Sequence, residues 1–482
     1  MKNKLVCLLL CAPALLSAKV TLPSIFSDGM VLQQNTEVKF WGKADSKQPV
    51  RITPSWSDKT YTATPDAQGN WSVRIPTLEG NFKPHSLTIT HDKDKTSLSD
   101  VLFGEVWLCS GQSNMEMKMR GWYGSPIIGG REAIANSRNE YIRFFDVKKE
   151  FASKEKDNCE GSWKKANPTD IAMFSATAYF FGRQLYRTLN VPVALVTSHW
   201  GGAAICSFMS KESLQPYAEY SEALNQLETK KLNNVTPTSI FNSMIKPIAG
   251  YAIKGTIWYQ GESDKAIPEL YRKLFHSMLD DWRARWEVGD FPFIYAQIAP
   301  FDYPNWDGNS AYMREAQQLC QQENTNAYMV SLTDVGERHN IHPSHKEDVG
   351  LRMAFRALDK VYHLEGMCSD EPTYSSMTVK DNKVTVVFDN AARGLTTYDQ
   401  PLTGFTVAGK DKVFYPAEAR FVPWQNKVVV SSDKVLEPVA VRYAFTDFAK
   451  GSFYNIEGCC APSFRTDDWN EADCTFVNED NQ

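Results

Sequence analysis

VLFGEVWLCSGQSNMEM, residues 101–117, opens as a nearly unbroken apolar run and closes on consecutive polar residues. A run rich in Val, Leu, Phe and Trp reads as a strand buried on both faces, the condition of a parallel sheet covered by helices. Its end is unlike core. Gln112, Ser113 and Asn114 each bring hydrogen-bonding groups that must be paired or left wet. A break of this kind at the carboxyl end of a buried strand is where an open α/β sheet holds its ligand.

The same texture recurs through residues 101–365. Apolar runs VPVALVTS, AIKGTIWYQ, FPFIYAQIA and AYMVSLTD alternate with helical patterns. In FSATAYFFGRQLYRTL, Ala178, Phe181, Leu185 and Leu189 recur at helical spacing, and ELYRKLFHSMLDDWRARW is a second such stretch. On either side the chain is β-rich alone. Residues 19–100 alternate short runs (VKFWG, VRITPSW, SLTITHD) with turns such as DAQGN, and residues 366–482 do the same with KVTVVFDN, LTGFTVAG, KVVVSS and VAVRYAF. The fold class is therefore α/β: a parallel-sheet, three-layer domain flanked by two β-sandwich-like domains.

Composition limits the partners. With 482 residues, 43% hydrophobic, the chain can bury ample core. A net charge of -5 argues against nucleic acid and against an anionic membrane surface, and favours a small molecule or a neutral polymer. MKNKLVCLLLCAPALLSA, residues 1–18, has two lysines, an apolar stretch from Leu5 to Leu16 and small residues at its end, which reads as a secretory signal peptide. No later segment is long and apolar enough to span a membrane, so the expectation is an exported protein, periplasmic or extracellular. Eight cysteines remain after residue 18, none with the paired spacing of a zinc site.

Four polar clusters follow four of the strands: Ser110–Asn114, SHWGGAA (198–204), QGESD (260–264) and DVGERHNIHP (334–343). Together they hold a serine, adjacent glycines, a glutamine, acids and histidines, the parts of an acyl-transfer site. The G-x-S-x-G elbow is absent, because Met115 follows Asn114, which argues against the α/β-hydrolase fold.

CSGQSNMEM, SHWGG, IWYQGESD and NIHPSHKEDVG resemble the spaced blocks of the SGNH (GDSL-like) hydrolases, in the branch of bacterial sialate O-acetylesterases. LPSIFSDGMVLQQ and FRTDDW extend the resemblance over nearly the whole chain after residue 18. It implies Ser113 as nucleophile and His342 as general base. It implies an oxyanion hole from the N–H of Ser113 and of Gly201 or Gly202, with Gln260 in the block that elsewhere supplies an asparagine donor. Asn114, Glu262 and Asp264 would organise the loops. Where the superfamily commonly places an aspartate, three residues before the histidine, this chain has His339. Glu337, Asp334 or a backbone carbonyl would have to orient His342, so a dyad is as open as a triad.

His339, His342 and His345 suggest a metal array, but Pro343 interrupts the helix that would align them, so no metal and no cofactor are expected. The helix is expected to begin after Pro343 and to bury Val349, Met353 and Leu358. The substrate implied is an acetylated carbohydrate, foremost an O-acetylated sialic acid whose carboxylate Arg120 would grip. Acetylated xylan or pectin-like sugars are the alternative substrates, and a non-catalytic carbohydrate-binding protein is the alternative class.

Overall fold

The structure, a computed structural model, describes residues 19–304 and 308–477; the signal peptide expected at 1–18 lies outside them. The central sheet runs in the order Trp163–Ala166, Asn139–Asp146, Val193–His199, Asp94–Gly111, Gly255–Tyr259, Phe293–Ala296, Ala327–Val330. All neighbours pair in parallel except Trp163–Ala166, an antiparallel edge. Side-chain alternation along the strand quoted above divides two cores. Val106 and Leu108 pack with Leu274, Met278 and Trp282 of the helix Pro268–Trp286. Trp107 and Cys109 pack on the other face with Phe181 and Leu185 of the helix Ala176–Leu189 and Val349 and Met353 of the helix Lys346–Lys360. Burying each such large apolar side chain contributes about 1.5–3 kcal/mol, which is why the continuous apolar run demands helices on both faces.

From the strand Asp94–Gly111 the chain builds outward on one side, then returns and builds on the other. The sheet thus switches direction beside Gly111, and the crevice lies outside the carboxyl ends there. Gly111 has φ +135, and a Cβ on it would collide with the Tyr259 carbonyl oxygen. Only glycine lets these strand ends converge. Its carbonyl accepts from Trp200 N–H at 3.0 Å, and the next N–H, of Gln112, donates to Tyr259 O at 2.9 Å. Three polar clusters are thereby sewn to one point.

The boundary expected at 100/101 falls inside a single strand. Asp94–Gly111 pairs antiparallel with Asn81–His91 in its first half and joins the parallel sheet in its second. Asp100, at φ +57, marks the transition, and the buried Arg143 guanidinium holds it there, donating to Asp100 O at 2.6 Å and Asp100 Oδ1 at 2.9 Å. Burial changes from one-sided to two-sided at this point while the backbone ladder continues, so the change of texture marks a change of neighbours within one element.

The C-terminal residues form a four-stranded and a five-stranded sheet. Val384, Val386, Phe388, Val428 and Val430 of one meet Phe405, Val407, Val441 and Tyr443 of the other in a common core, a sandwich. It is joined to the central domain by buried polar contacts: the fully buried Arg314 donates to Ala444 O at 3.1 Å and Ser463 Oγ at 3.2 Å.

Candidate active site

Ser113 begins a one-turn helix, Ser113–Glu116, immediately past Gly111. Gln112 precedes it, and its side-chain oxygen accepts from the N–H groups of Gly261 and Ser263, both at 3.3 Å, locking the serine turn to the QGESD turn. Ser113 is half-buried. At the first helical position its N–H has no intrahelical acceptor and stays available.

His342 lies in the loop before the helix Lys346–Lys360, edge-on to Trp122 with ring centroids 4.9 Å apart at 86°. Its backbone N–H donates to Asn340 Oδ1 at 3.1 Å. Burial, reinforced by the positive charge of Lys346 and partly opposed by Glu116, pushes the imidazole down from 6.5 to about 4. The ring is therefore neutral, the form a general base requires.

Neither acid proposed as orienter reaches that ring. Glu337 accepts from Ser344 N–H at 2.7 Å, Ser344 Oγ at 2.5 Å and Asn340 Nδ2 at 2.9 Å, so its carboxylate staples the loop around His342. Burial would raise its pKa, but these donors outweigh it and hold the carboxyl below its ordinary value. Asp334 forms a bidentate pair with Arg352, at 2.7 and 2.6 Å, and accepts from the Tyr454 hydroxyl at 3.0 Å. The acceptor positions of both acids are occupied elsewhere. Among the described residues, no hydrogen bond ties the His342 ring to a carboxylate or to Ser113.

The glycines and Gln260 also differ from expectation. Gln260 Nε2 donates to Ala203 O at 3.1 Å and to Asp264 Oδ2, so its amide braces the floor of the site and does not present a donor to an oxyanion. Gly201 N–H donates to Glu116 Oε2 at 2.7 Å. Gly202, in contrast, makes no backbone hydrogen bond to a described residue. It has φ +68, and a Cβ there would stand 3.0 Å from Asn234 Nδ2. Ser113 and Gly202 thus each keep an N–H with no hydrogen-bond partner among the described residues.

Beneath the serine lies a buried polar network. Asn114 Nδ2 donates to Glu262 Oε1 at 2.6 Å and to Ile341 O at 3.0 Å, while its Oδ1 accepts from Lys346 Nζ at 2.8 Å. Asp264, buried and pushed up to about 6, accepts from Ile205 N–H at 2.9 Å and anchors the segment after the glycines. Arg120 is exposed, two residues before Trp122. Of the three-histidine array, His339 is exposed and His345 Nδ1 pairs with Asp348 at 2.9 Å. They do not converge.

Four residues at the site were missed from sequence. Glu116 bridges Gly201 and Lys149, whose Nζ donates to it at 2.6 Å and lies 5.1 Å from the Trp200 ring centroid. Asn234 Nδ2 donates to Gly201 O at 2.8 Å. Trp122 forms a wall against His342, and Lys346 lies below it. Glu116 stands inside a quoted block, so its position was a usable signal. Asn234 lies in an irregular stretch with none.

A sequence model of the family described as carbohydrate esterase, sialic acid-specific acetylesterase, matches residues 103–359. The sialate O-acetylesterase of Mus musculus is 26% identical over 88% of this chain and 89% of its own. That of Homo sapiens is 25% identical over 88% and 87%. The crystal structure of a carbohydrate acetylesterase from Xanthomonas citri aligns with TM-score 0.83 and 31% identity, covering 94% of this chain and 100% of that one.

Proposed function

Because the chain belongs to the sialic acid-specific acetylesterase family of carbohydrate esterases, and is a carboxylic ester hydrolase, we propose that it removes O-acetyl groups from sialic acids through an acetyl-serine intermediate on Ser113. What supports this reading is a serine at a strand end whose neighbour Asn114 donates to Ile341 O beside His342, a histidine that burial holds neutral, and the N–H groups of Ser113 and Gly202, which have no partner among the described residues. The parallel sheet with these blocks at its carboxyl ends supports the SGNH type of fold.

Ser113 Oγ attacks the acetyl carbonyl as His342 takes its proton. The N–H groups of Ser113 and Gly202 receive the developing oxyanion, and His342 returns the proton to the departing sugar oxygen. Water, deprotonated by His342, then attacks the acetyl carbon; the bond to Ser113 Oγ breaks, acetate leaves, and His342 returns the proton to Ser113 Oγ. Glu337 acts on the loop carrying His342, and the pair works as a dyad oriented by its backbone. No metal or cofactor has a step in this chemistry. The carboxylate of a sialic acid is assigned to Arg120, on the exposed turn beside Trp122. The leader expected at 1–18 supports action on glycans outside the cytoplasm, and among the described residues no helix is long and apolar enough to cross a membrane.

Ser113→Ala tests the reading. It removes one oxygen at a half-buried position, so the fold should persist while acetate release falls at least about a hundredfold. A folded Ser113→Ala enzyme above that rate would remove Ser113 as nucleophile.

A further inference from the structure

Lysine is the most flexible of the cations, and enclosing one without solvent is expensive unless its donors are matched. Lys346 is fully buried, at 0% exposure, in the first turn of the helix Lys346–Lys360, where the helix dipole also disfavours a cation. An apolar side chain of similar volume would be the more stable occupant by these criteria. Its retention requires a use.

The partners supply one. Lys346 Nζ donates to Pro343 O at 2.6 Å and to Asn114 Oδ1 at 2.8 Å. Asn114 Nδ2 donates to Ile341 O at 3.0 Å. Ile341 and Pro343 are the two neighbours of His342 in the chain, and Asn114 is the neighbour of Ser113. Asn114, beside the serine, thereby grips Ile341 O directly and Pro343 O through Lys346, across more than two hundred positions of sequence. Glu262 Oε1 completes the network at Asn114 Nδ2, 2.6 Å away.

We propose that Lys346 is a positioning residue of the esterase: with Asn114 it clamps the two peptide carbonyls flanking His342 and so sets the imidazole in register with Ser113. The proposal rests on the dyad reading above and adds a residue that touches neither substrate nor reacting atoms. It replaces the missing carboxylate. In place of an acid bonded to the ring, the backbone on either side of the ring is fixed.

The position of the charge has a second effect. His342 faces Glu116 from the serine turn and Lys346 from the following helix, while Lys346 itself faces Glu262 and the Tyr259 ring from one strand end and Glu337 from the histidine loop. Burial pushes Lys346 itself down to about 7, so at the acid pH where His342 would take a proton it is an ammonium and disfavours that proton; clamp and charge both serve the neutral base.

The test is the pH profile of kcat/KM and the separate kcat and KM for Lys346→Met and Lys346→Gln, with His342→Ala alongside, all as the full chain on a neutral aryl acetate. Met removes donors and charge. Gln restores a donor without the charge. Folding is checked by circular dichroism, and if the Met variant fails to fold, the Gln variant decides alone. The clamp requires kcat to fall by about tenfold or more in Lys346→Met with KM within about threefold, partial recovery in Lys346→Gln, and an acid limb displaced upward by about half a pH unit or more in both. A folded Lys346→Gln enzyme with wild-type kcat and an unmoved limb overturns the proposal. If His342→Ala is inactive while both Lys346 variants are unaffected, the dyad stands and the clamp falls. If His342→Ala retains activity, the dyad itself is wrong.

Discussion

The pH dependence of the base tests the site most directly, because the perturbation is a proton and the fold is untouched. An imidazole of ordinary pKa, 6.5, is only about 3% neutral at about pH 5, whereas one at about 4 is about 90% neutral there. The difference is about thirtyfold in the fraction of enzyme holding a usable base. The sign follows from the cause. Burial against Trp122 and the Lys346 charge disfavour the imidazolium, so the neutral form persists on acidification and activity is lost only as pH falls through about 4. The assay is kcat/KM for acetate release from a neutral acetate ester, followed by acetate detection from about pH 4 to pH 8. A plateau reaching below about pH 5 is expected, and Trp122→Ala, which admits water to the ring, should move the acid limb up toward 6.5. An acid limb already centred near 6.5 in the unaltered enzyme would refute the buried, cation-shadowed histidine.

The remaining expectations concern the surrounding parts. Gly202→Ala places a side chain at φ +68 against Asn234, so it should lower stability by about 1–2 kcal/mol and kcat/KM by about tenfold or more; unchanged kinetics would remove Gly202 from the oxyanion hole. Glu337→Gln should cost under about tenfold in kcat, because its bonds go to Ser344 and Asn340; a loss of several orders of magnitude would restore it as orienter. Asp334→Asn should behave likewise in kcat but lower the melting temperature, since Arg352 loses its bidentate partner. Arg120→Ala should raise KM for O-acetylated sialic acid and leave acetylated xylo-oligosaccharides unaffected; equal rates of the unaltered enzyme on both substrates would remove the preference for sialate.

The α/β core was legible because its signal is coarse and redundant. A strand covered on both faces must be apolar at every position, so the runs ending at Cys109, Thr197 and Tyr259 could be placed without knowing their neighbours. The helix after Pro343 was legible for a similar reason, and it buries Val349, Met353 and Leu358 as expected. The division at 100/101, expected as a border between domains, falls within a strand. Asp94–Gly111 is one strand, and a run of residues reports how many faces are covered, not whether the backbone ladder continues.

The site was legible only where chemistry narrows the residue type. A nucleophile and a base belong to short sets of side chains, so the blocks offered Ser113 and His342 as the candidates for those roles. A hydrogen-bond donor does not: Gln260, Gly201, Gly202 and Asn234 all carry N–H groups, and only distances reveal that Gln260 is bound to Asp264 and Gly201 to Glu116. The same ambiguity hid Lys346. In sequence it is one cation of an exposed-looking SHKED stretch, a solvated helix start by any local criterion. What distinguishes it is a carbonyl three residues away and an amide more than two hundred positions distant, both within 2.8 Å. The side chains that bridge the Ser113 turn and the His342 loop are chosen by the space between them, and that space exists only once the strand ends have met at Gly111.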